Sequence, residues 1–395
     1  MSNPSPEETQ VLELCEQLLA ENDVNDAVAF LGAQFDLGLA WVHFDEGHGG
    51  LGLSPKLQSV VNTRLARAGA PGPYYRNPIG YGMGAPTVHT HGSEAQKERY
   101  LRPLFTGEEI WCQLFSEPNA GSDVAGLATR AVLDGDEWTV NGQKVWTTLA
   151  HVARWGMLVA RTDPEQPKHR GLTYFVIDMD QPGVEVKPLR QITGDAEFNE
   201  VFMTDAHIPD SERLGEVGDG WRVSLTTLMN ERVAIGGTVA PRGSGVIGEA
   251  VSVWRETPDE LRNPAHKDRL MQLWCQAETA RLTNIRASQN RARGVPGPEG
   301  STGKLAFAEN NKEIYAFCMN LMGAEGMLYG DYDMTRGSRA MESPTRQQAF
   351  LRSRANSIEG GTSEVMRNIL GERVLGLPGD VRVDKELPWN QVARN

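Results

Sequence analysis

The residues best suited to chemistry fall in four short runs. Ser116-Glu117-Pro118-Asn119-Ala120-Gly121-Ser122-Asp123 mixes small side chains, which let a ligand approach the backbone, with hydroxyl, amide and N–H donors. The same composition also suits an ordinary Asx or Ser turn. Trp146-Thr147-Thr148 ends a β-rich run with a large ring and a hydroxyl two residues apart, hence on one face of a strand. Glu231 stands among apolar residues in Leu228-Met229-Asn230-Glu231-Arg232-Val233-Ala234-Ile235. Such a carboxylate either pairs with a neighbouring Arg or serves as a base whose pKa rises when apolar substrate excludes water. Ile358-Glu359-Gly360-Gly361-Thr362-Ser363-Glu364 sets two glycines before a Thr able to cap a helix, and helix N-termini attract anions.

Other candidates are weaker. Gly47-His48-Gly49-Gly50-Leu51-Gly52 matches GxGxxG, but no buried strand precedes it and no acidic residue follows at the required distance, so it reads as a loop. His89 and His91 are spaced like two ligands on one face of a strand, without a third ligand at a metal spacing. His151 and His207 have little local support as general bases. Cys15, Cys112, Cys275 and Cys318 form no CxxC, which fits reduced thiols and a cytoplasmic protein.

These runs must be positioned by elements of different kinds. Ser5-Pro6-Glu7-Glu8 and Ser93-x-x-Gln96 are helix starts, and residues 1–110 read as a helical domain. Over 111–215 the pattern becomes short β runs, Ala131–Leu133, Trp138–Val140, Lys144–Trp146, Met157–Arg161, Leu172–Ile177 and Val184–Val186. Asp134-Gly135 and Asn141-Gly142 between them predict an antiparallel meander with tight turns. Within 216–395, the segments 222–240, 267–291 and 304–322 carry apolar residues at helical spacing, with a loop expected over Gly294–Gly303. The fold class is thus α+β: helices, a β domain, then a helical bundle.

The 395 residues carry 39 Lys+Arg against 52 Asp+Glu, a net charge of −13 that disfavours nucleic-acid binding. The opening MSNPSPEETQ has neither a basic nor an apolar leader region, and no apolar run suits membrane insertion.

Together these segments resemble the acyl-CoA dehydrogenase family from about Leu37 to Pro378. FSEPNAGSDVAGLATRA at 115–131, NGQKVWTT at 141–148, FNEVFMTDAHIP at 198–209 and EGGTSEVMRNILGERVLGLP at 359–378 carry the resemblance in the family's order. It implies an N-terminal α-helical domain, a central β-barrel-like domain and a C-terminal four-helix bundle, assembled as a homo- or hetero-tetramer. The implied reaction is FAD-dependent oxidation of an acyl-CoA thioester to its trans-2-enoyl form, by α-proton abstraction and β-hydride transfer to flavin N5. Electrons would pass to an electron-transfer flavoprotein. Developing charge on the thioester oxygen would be met by donors of the oxyanion-hole kind, one of them the backbone N–H in the Gly360 region.

By the same resemblance Gln113, Leu114, Phe115, Ser116, Gly121 and Ser122 line the flavin, Trp146 and Thr148 shield and hydrogen-bond its ring, and Thr362, Ser363 and Glu364 add a further contact. Ser122, Arg232 and Gly360 would lie toward the substrate. The family places its catalytic Glu either immediately before Gly-Thr, where this chain has Gly360, or on a helix directly before Arg. Asn230-Glu231-Arg232 resembles the second arrangement, as in isovaleryl and long-chain members, so Glu231 is the expected base and Glu359 the alternative, one residue out of register. The chain departs from the family where Arg291-Ala292-Arg293-Gly294-Val295-Pro296 replaces Arg-x-x-Phe-Gly, leaving Arg291 or Arg293 for the FAD phosphates. It departs again where Asn320 and Gly323-Ala324 stand for Gln and Gly-Gly. Such departures are found in members that share FAD sites between unlike chains. Room at Gly360 points to a branched or bulky acyl group, a steroid side chain included. Two other readings on the same fold are a flavin oxidase or monooxygenase and a partner subunit of a catalytic paralogue.

Overall fold

A computed structural model describes residues 5–236, 241–292, 297, 299–331, 333–336 and 344–393, with the side chains of 231–236, 291, 292 and 299 left out of the description. The chain divides into two compact units: one of residues 1–187, 198–230 and 383–395, the other of 188–197 and 231–382.

The first unit opens with helices α1 (Pro6–Glu21), α2 (Ala27–Asp36), α3 (Gln58–Arg67), the single turn α4 (Pro73–Arg76), α5 (Ala85–His91) and α6 (Glu94–Thr106). Their starts follow the sequence signals: Ser5 Oγ accepts from Glu8 N at 3.1 Å, and Ser93 with Gln96 forms a reciprocal capping box. Val11, Cys15 and Leu18 of α1 pack on Phe30, Val61 and Leu65 in a small core of their own.

Eight strands follow: β1 (Trp111–Leu114), β2 (Arg130–Asp134), β3 (Glu137–Thr148), β4 (Trp155–Arg161), β5 (Leu172–Asp178), β6 (Val184–Pro188), β7 (Phe198–Pro209) and β8 (Arg213–Leu214). They form one sheet in the order β6-β7-β3-β2-β4-β5-β8, with β1 paired parallel to β4. This is not the simple meander expected, because β1 and β2 both lie parallel against β4. Alternation along β4 and β5 divides two cores. Met157, Val159, Tyr174 and Val176 face Tyr100, Leu104 and Phe105 of α6, whereas Leu158, Ala160, Phe175 and Ile177 face Trp138, Val140, Val201 and Met203. Burial on both faces is why β4 and β5 read as unbroken apolar runs.

Asn141-Gly142 is a bulge inside the continuous strand β3, where a turn was expected. Asn141 pairs with Arg130 on β2, while its side chain exchanges hydrogen bonds with Asp205 of β7 at 2.9 and 3.0 Å, so its turn-forming chemistry serves a cross-strand contact. His89 and His91 lie on helix α5 rather than on a strand, and they meet different neighbours: His89 stacks on Phe44, and His91 contacts Thr226 at 2.8 Å.

Helix α7 (Gly220–Gly236) closes the sheet's sequence and ends in the second unit. That unit contains α8 (Val246–Glu256), α9 (Pro264–Ala292), α10 (Glu299–Met322), α11 (Arg346–Arg352) and α12 (Ser363–Ile369). Its core is built on helical spacing, with Ile314, Phe317, Cys318 and Leu321 of α10 against Ile247 and Val253 of α8 and Leu270 and Leu273 of α9. Helix α10 begins at Glu299, so Gly300–Gly303 are helical where a loop was expected. Packing on α9 overrides the glycine penalty there, since a Cβ at 303 would come within 2.9 Å of Asn284 Oδ1. Among the described residues no helix is long and apolar enough to cross a membrane, and no group of three His, Cys, Asp or Glu is placed to hold a metal ion.

Candidate functional site

In the first unit the run 115–123 leaves β1 and folds into a tight turn, with Glu117 N donating to Ala120 O at 3.1 Å and Ala120 N to Glu117 O at 3.0 Å. Proline and asparagine occupy the exposed corner. Beneath the turn lies a charged anchor to which the sequence reading assigned no role. Lys144 of β3 is fully buried, and its ammonium donates to Glu117 Oε1 at 2.8 Å, Phe115 O at 3.0 Å and Val159 O at 2.9 Å. The Glu117 carboxylate also accepts from Ala128 N at 2.6 Å and Thr129 N at 2.9 Å. Burial pushes the Glu117 carboxyl up, but Lys144 and the donors around it outweigh that and hold it below the usual carboxylate value. A Lys in a strand that otherwise alternates, with a Glu in a loop of small residues, was the available signal.

The anchor leaves the rim of the turn free. Gly121, Ser122 and Asp123 are exposed and Ser116 is half-buried; Ser116 O accepts Val145 N at 2.9 Å, which seats the loop against β3. Leu114 and Phe115 send their side chains into the two cores, so only their main chain is available to a ligand. Gln113 is half-buried and its backbone is in register with Met157.

Trp146 follows at a second bulge of β3 and has a left-handed backbone, φ 61°. A non-glycine residue in that region costs roughly 1–2 kcal/mol. The ring gains little burial in return: it is 58% exposed and touches Phe198 edge-on. Strain spent on holding an indole in the open is what a ring-stacking role requires. Thr147 is turned inward, its carbonyl held by Asn199 Nδ2 at 3.0 Å, and Thr148 is half-buried on the outer side. Trp146→Gly should therefore leave the melting temperature within a few degrees while weakening flavin retention, read as thermal unfolding beside flavin absorbance. A large destabilisation with flavin content unchanged would make the ring structural.

The second unit holds the other candidates. Asn320 is exposed at the end of α10, Gly323 follows with φ 58°, and both line a cleft of about 560 Å³ whose walls include Met319, Met327 and Phe350. An apolar cleft with a side-chain amide at its edge suits a planar heterocycle. In the run 359–364, Glu359 is held by Arg352 in a two-pronged pair, with contacts of 2.8 and 3.2 Å, and accepts Asn356 Nδ2 at 2.8 Å. Gly360 and Gly361 both have left-handed backbones, φ 62° and 95°, and a Cβ at 361 would strike Met366 Cε at 2.7 Å. Thr362 caps α12 by accepting Val365 N at 3.1 Å. The Ser363 hydroxyl is buried and bonded to Glu309 Oε1 at 2.6 Å, so it is spent inside the unit, and Glu364 is exposed beside Arg367.

The backbone of Glu231 and Arg232 continues α7 and that of Arg291 lies in α9; their side chains fall outside the described residues, as does Arg293 altogether. His151 contacts buried Asn199 at 3.3 Å and His207 faces Glu137 at 3.1 Å on the exposed side of the sheet.

Comparison with known proteins identifies the family. The chain matches the acyl-CoA dehydrogenase N-terminal domain over residues 8–108, the middle domain over 112–206 and the C-terminal domain over 218–375. It is 39% identical over 344 residues to acyl-CoA dehydrogenase FadE34 of Mycobacterium tuberculosis, covering 87% of this chain and 45% of FadE34, so it spans under half of that relative. It is 36% identical over 354 residues to acyl-CoA dehydrogenase IpdE1 of the same organism, covering 87% of this chain and 86% of IpdE1. The solved Tcur3481-Tcur3483 steroid ACAD shares the fold at TM-score 0.72 and 24% identity, covering 96% of this chain and all of the other. FAD is the family's cofactor. With all three domains matched in order, this chain belongs to the acyl-CoA dehydrogenases, FAD-dependent oxidoreductases.

Proposed function

We propose that the protein oxidises an acyl-CoA thioester to its trans-2-enoyl form, with Glu231 as the base that takes the α-proton. The observation that carries the assignment is the state of the C-terminal run: Glu359 is committed to Arg352 and Asn356, and position 360 is a glycine with a left-handed backbone. With no carboxylate immediately before Gly361-Thr362, the base must come from elsewhere, and Glu231 directly before Arg232 on α7 supplies one. Bound FAD supplies the hydride acceptor, and an electron-transfer flavoprotein receives the electrons. In this reading the main chain at Gly360 donates to the thioester oxygen, where hydrogen bonding stabilises the charge that develops as the α-proton leaves. Trp146 covers the ring, while the rim at Ser116, Gly121 and Ser122 contacts it and the acyl group.

For the acyl group we propose a branched or bulky chain of the steroid-side-chain class. Position 360 carries no side chain, and a solved protein of the same fold is named a steroid ACAD. That protein is named as a Tcur3481-Tcur3483 pair, which with the replaced Arg-x-x-Phe-Gly segment favours a heteromeric assembly in a second reading. Both are tested by purifying the chain alone and together with its nearest paralogue, then mixing each anaerobically with short, long, branched and steroid-side-chain acyl-CoAs. The flavin band should bleach fastest with the bulky class. Highest kcat/KM on straight short chains would overturn the substrate class, and flavin present only after co-expression would establish the heteromer.

A further inference from the structure

The second unit ends at Arg382, and from Val383 the chain packs with the first unit again, beyond the last residue of the family's C-terminal domain match at 375. This returning segment makes a dense set of contacts at one place. Trp389 N donates to Gln166 O at 2.9 Å and Asn390 N to Pro164 O at 3.0 Å, while Pro388 bridges Pro167. The Trp389 indole donates from Nε1 to Gly126 O at 3.1 Å and lies against the Arg161 guanidinium, 4.5 Å from its centre. Arg161, itself buried, donates to Ala125 O at 2.6 Å, Leu127 O at 3.2 Å and Lys168 O at 2.8 Å. Lys168 Nζ in turn joins Asp123 at 2.9 Å to Asp384 at 3.0 Å.

The backbone bonds dock the tail on 164–167, while the Trp389 indole, Arg161 and Lys168 reach Asp123–Leu127, which comprises the single 3-10 turn Val124–Gly126 and its flanking residues, next after the exposed rim of the 115–123 loop. Three residues of 3-10 helix do not hold themselves together, and their carbonyls need outside donors. Here those donors are Arg161 and the tail's own indole. We propose that residues 384–390 are a strap that sets the conformation of the Asp123–Leu127 turn, with Trp389 and Asp384 as positioning residues for the adjoining cofactor loop. The link to the cofactor rests on the functional reading above; the link to the turn does not.

The test separates the two. In the full-length chain, Trp389→Ala removes the stacking and the indole donor, and backbone amides of 123–128 should exchange about tenfold faster, the loss of one hydrogen bond and one cation–π contact. Amides of α8, α9 and α10 should be unchanged. Trp389→Phe, which keeps a ring over Arg161 and loses only the N–H, should recover part of the protection, and Asp384→Asn should loosen the same amides. In the holoprotein the rate of FAD release, followed by its recovered fluorescence, should rise in the same order across the variants. Unchanged exchange at 123–128, or faster exchange spread evenly over both units, overturns the strap. Local loosening with unaltered FAD release upholds the strap and overturns the turn's connection to the cofactor.

Discussion

Glu231→Gln should bind FAD and acyl-CoA as the wild type does and fail to bleach the flavin, with the single-turnover reduction rate down by roughly 10³–10⁴, the scale on which removal of a general base acts. The amide preserves the shape of the side chain and cannot take a proton, so KM should move little while kcat falls. Glu359→Gln supplies the contrast. Its carboxylate is already satisfied by Arg352 and Asn356, so neutralising it removes an ion pair and leaves Arg352, which is only 13% exposed, without that partner. The expected result is a lower melting temperature and a reduction rate within about tenfold of wild type, the protein losing stability rather than chemistry. Stopped-flow absorbance at the flavin band on both variants decides the matter. Near-normal reduction by Glu231→Gln, or its loss in Glu359→Gln at unchanged stability, would move the base to position 359.

The order of the architecture was legible because each layer has its own period. Caps at Ser5 and Ser93, short unbroken apolar runs at β4 and β5, and helical spacing at 314–321 each speak locally, and each forms as read. What was not legible is decided by contacts distant in sequence. Asn141-Gly142 has the composition of a hairpin turn, and only the partner Asp205 on β7, 64 positions away, makes it a bulge. Pairing of β1 and β2 to β4 likewise depends on the sheet as a whole. At the candidate site, motif resemblance singled out the loop, the tryptophan and the glycine pair, residues whose exposure and backbone conformation are distinctive. It gave no sign that Glu359 is committed to Arg352, nor of Lys144 beneath the loop, nor of the tail at 384–390. A buried cation in a strand is indistinguishable by pattern from a solvated one on its outer face, and only the absence of water around it reveals its role.

That buried cation leads to the second large effect. Lys144→Met should destabilise the first unit by roughly 3–5 kcal/mol, because it leaves the Glu117 carboxylate in a dry site with two amide donors and no opposing charge. The Phe115 and Val159 carbonyls lose a donor in the same step. Flavin retention should fall with it, since the turn whose rim is proposed to meet the cofactor is tied to β3 through this ammonium. Pairing the change with Glu117→Gln removes the stranded charge, and the double variant should regain part of the loss, although the Phe115 and Val159 carbonyls still lack the donor that Lys144 supplied. The pH dependence has a definite sign. Glu117 is held below the ordinary value of 4.5, so the folded state binds its proton less readily than the unfolded chain. Its contribution is therefore complete above that ordinary value and is lost as pH falls through the lower value in the folded protein. Urea unfolding followed by tryptophan fluorescence from pH 7 downward should show an acid limb in the wild type that is shallower in Glu117→Gln. A Lys144→Met cost below about 1 kcal/mol, the worth of an exposed pair, would mean that the turn is held by its backbone alone and that the ion pair beneath it is incidental.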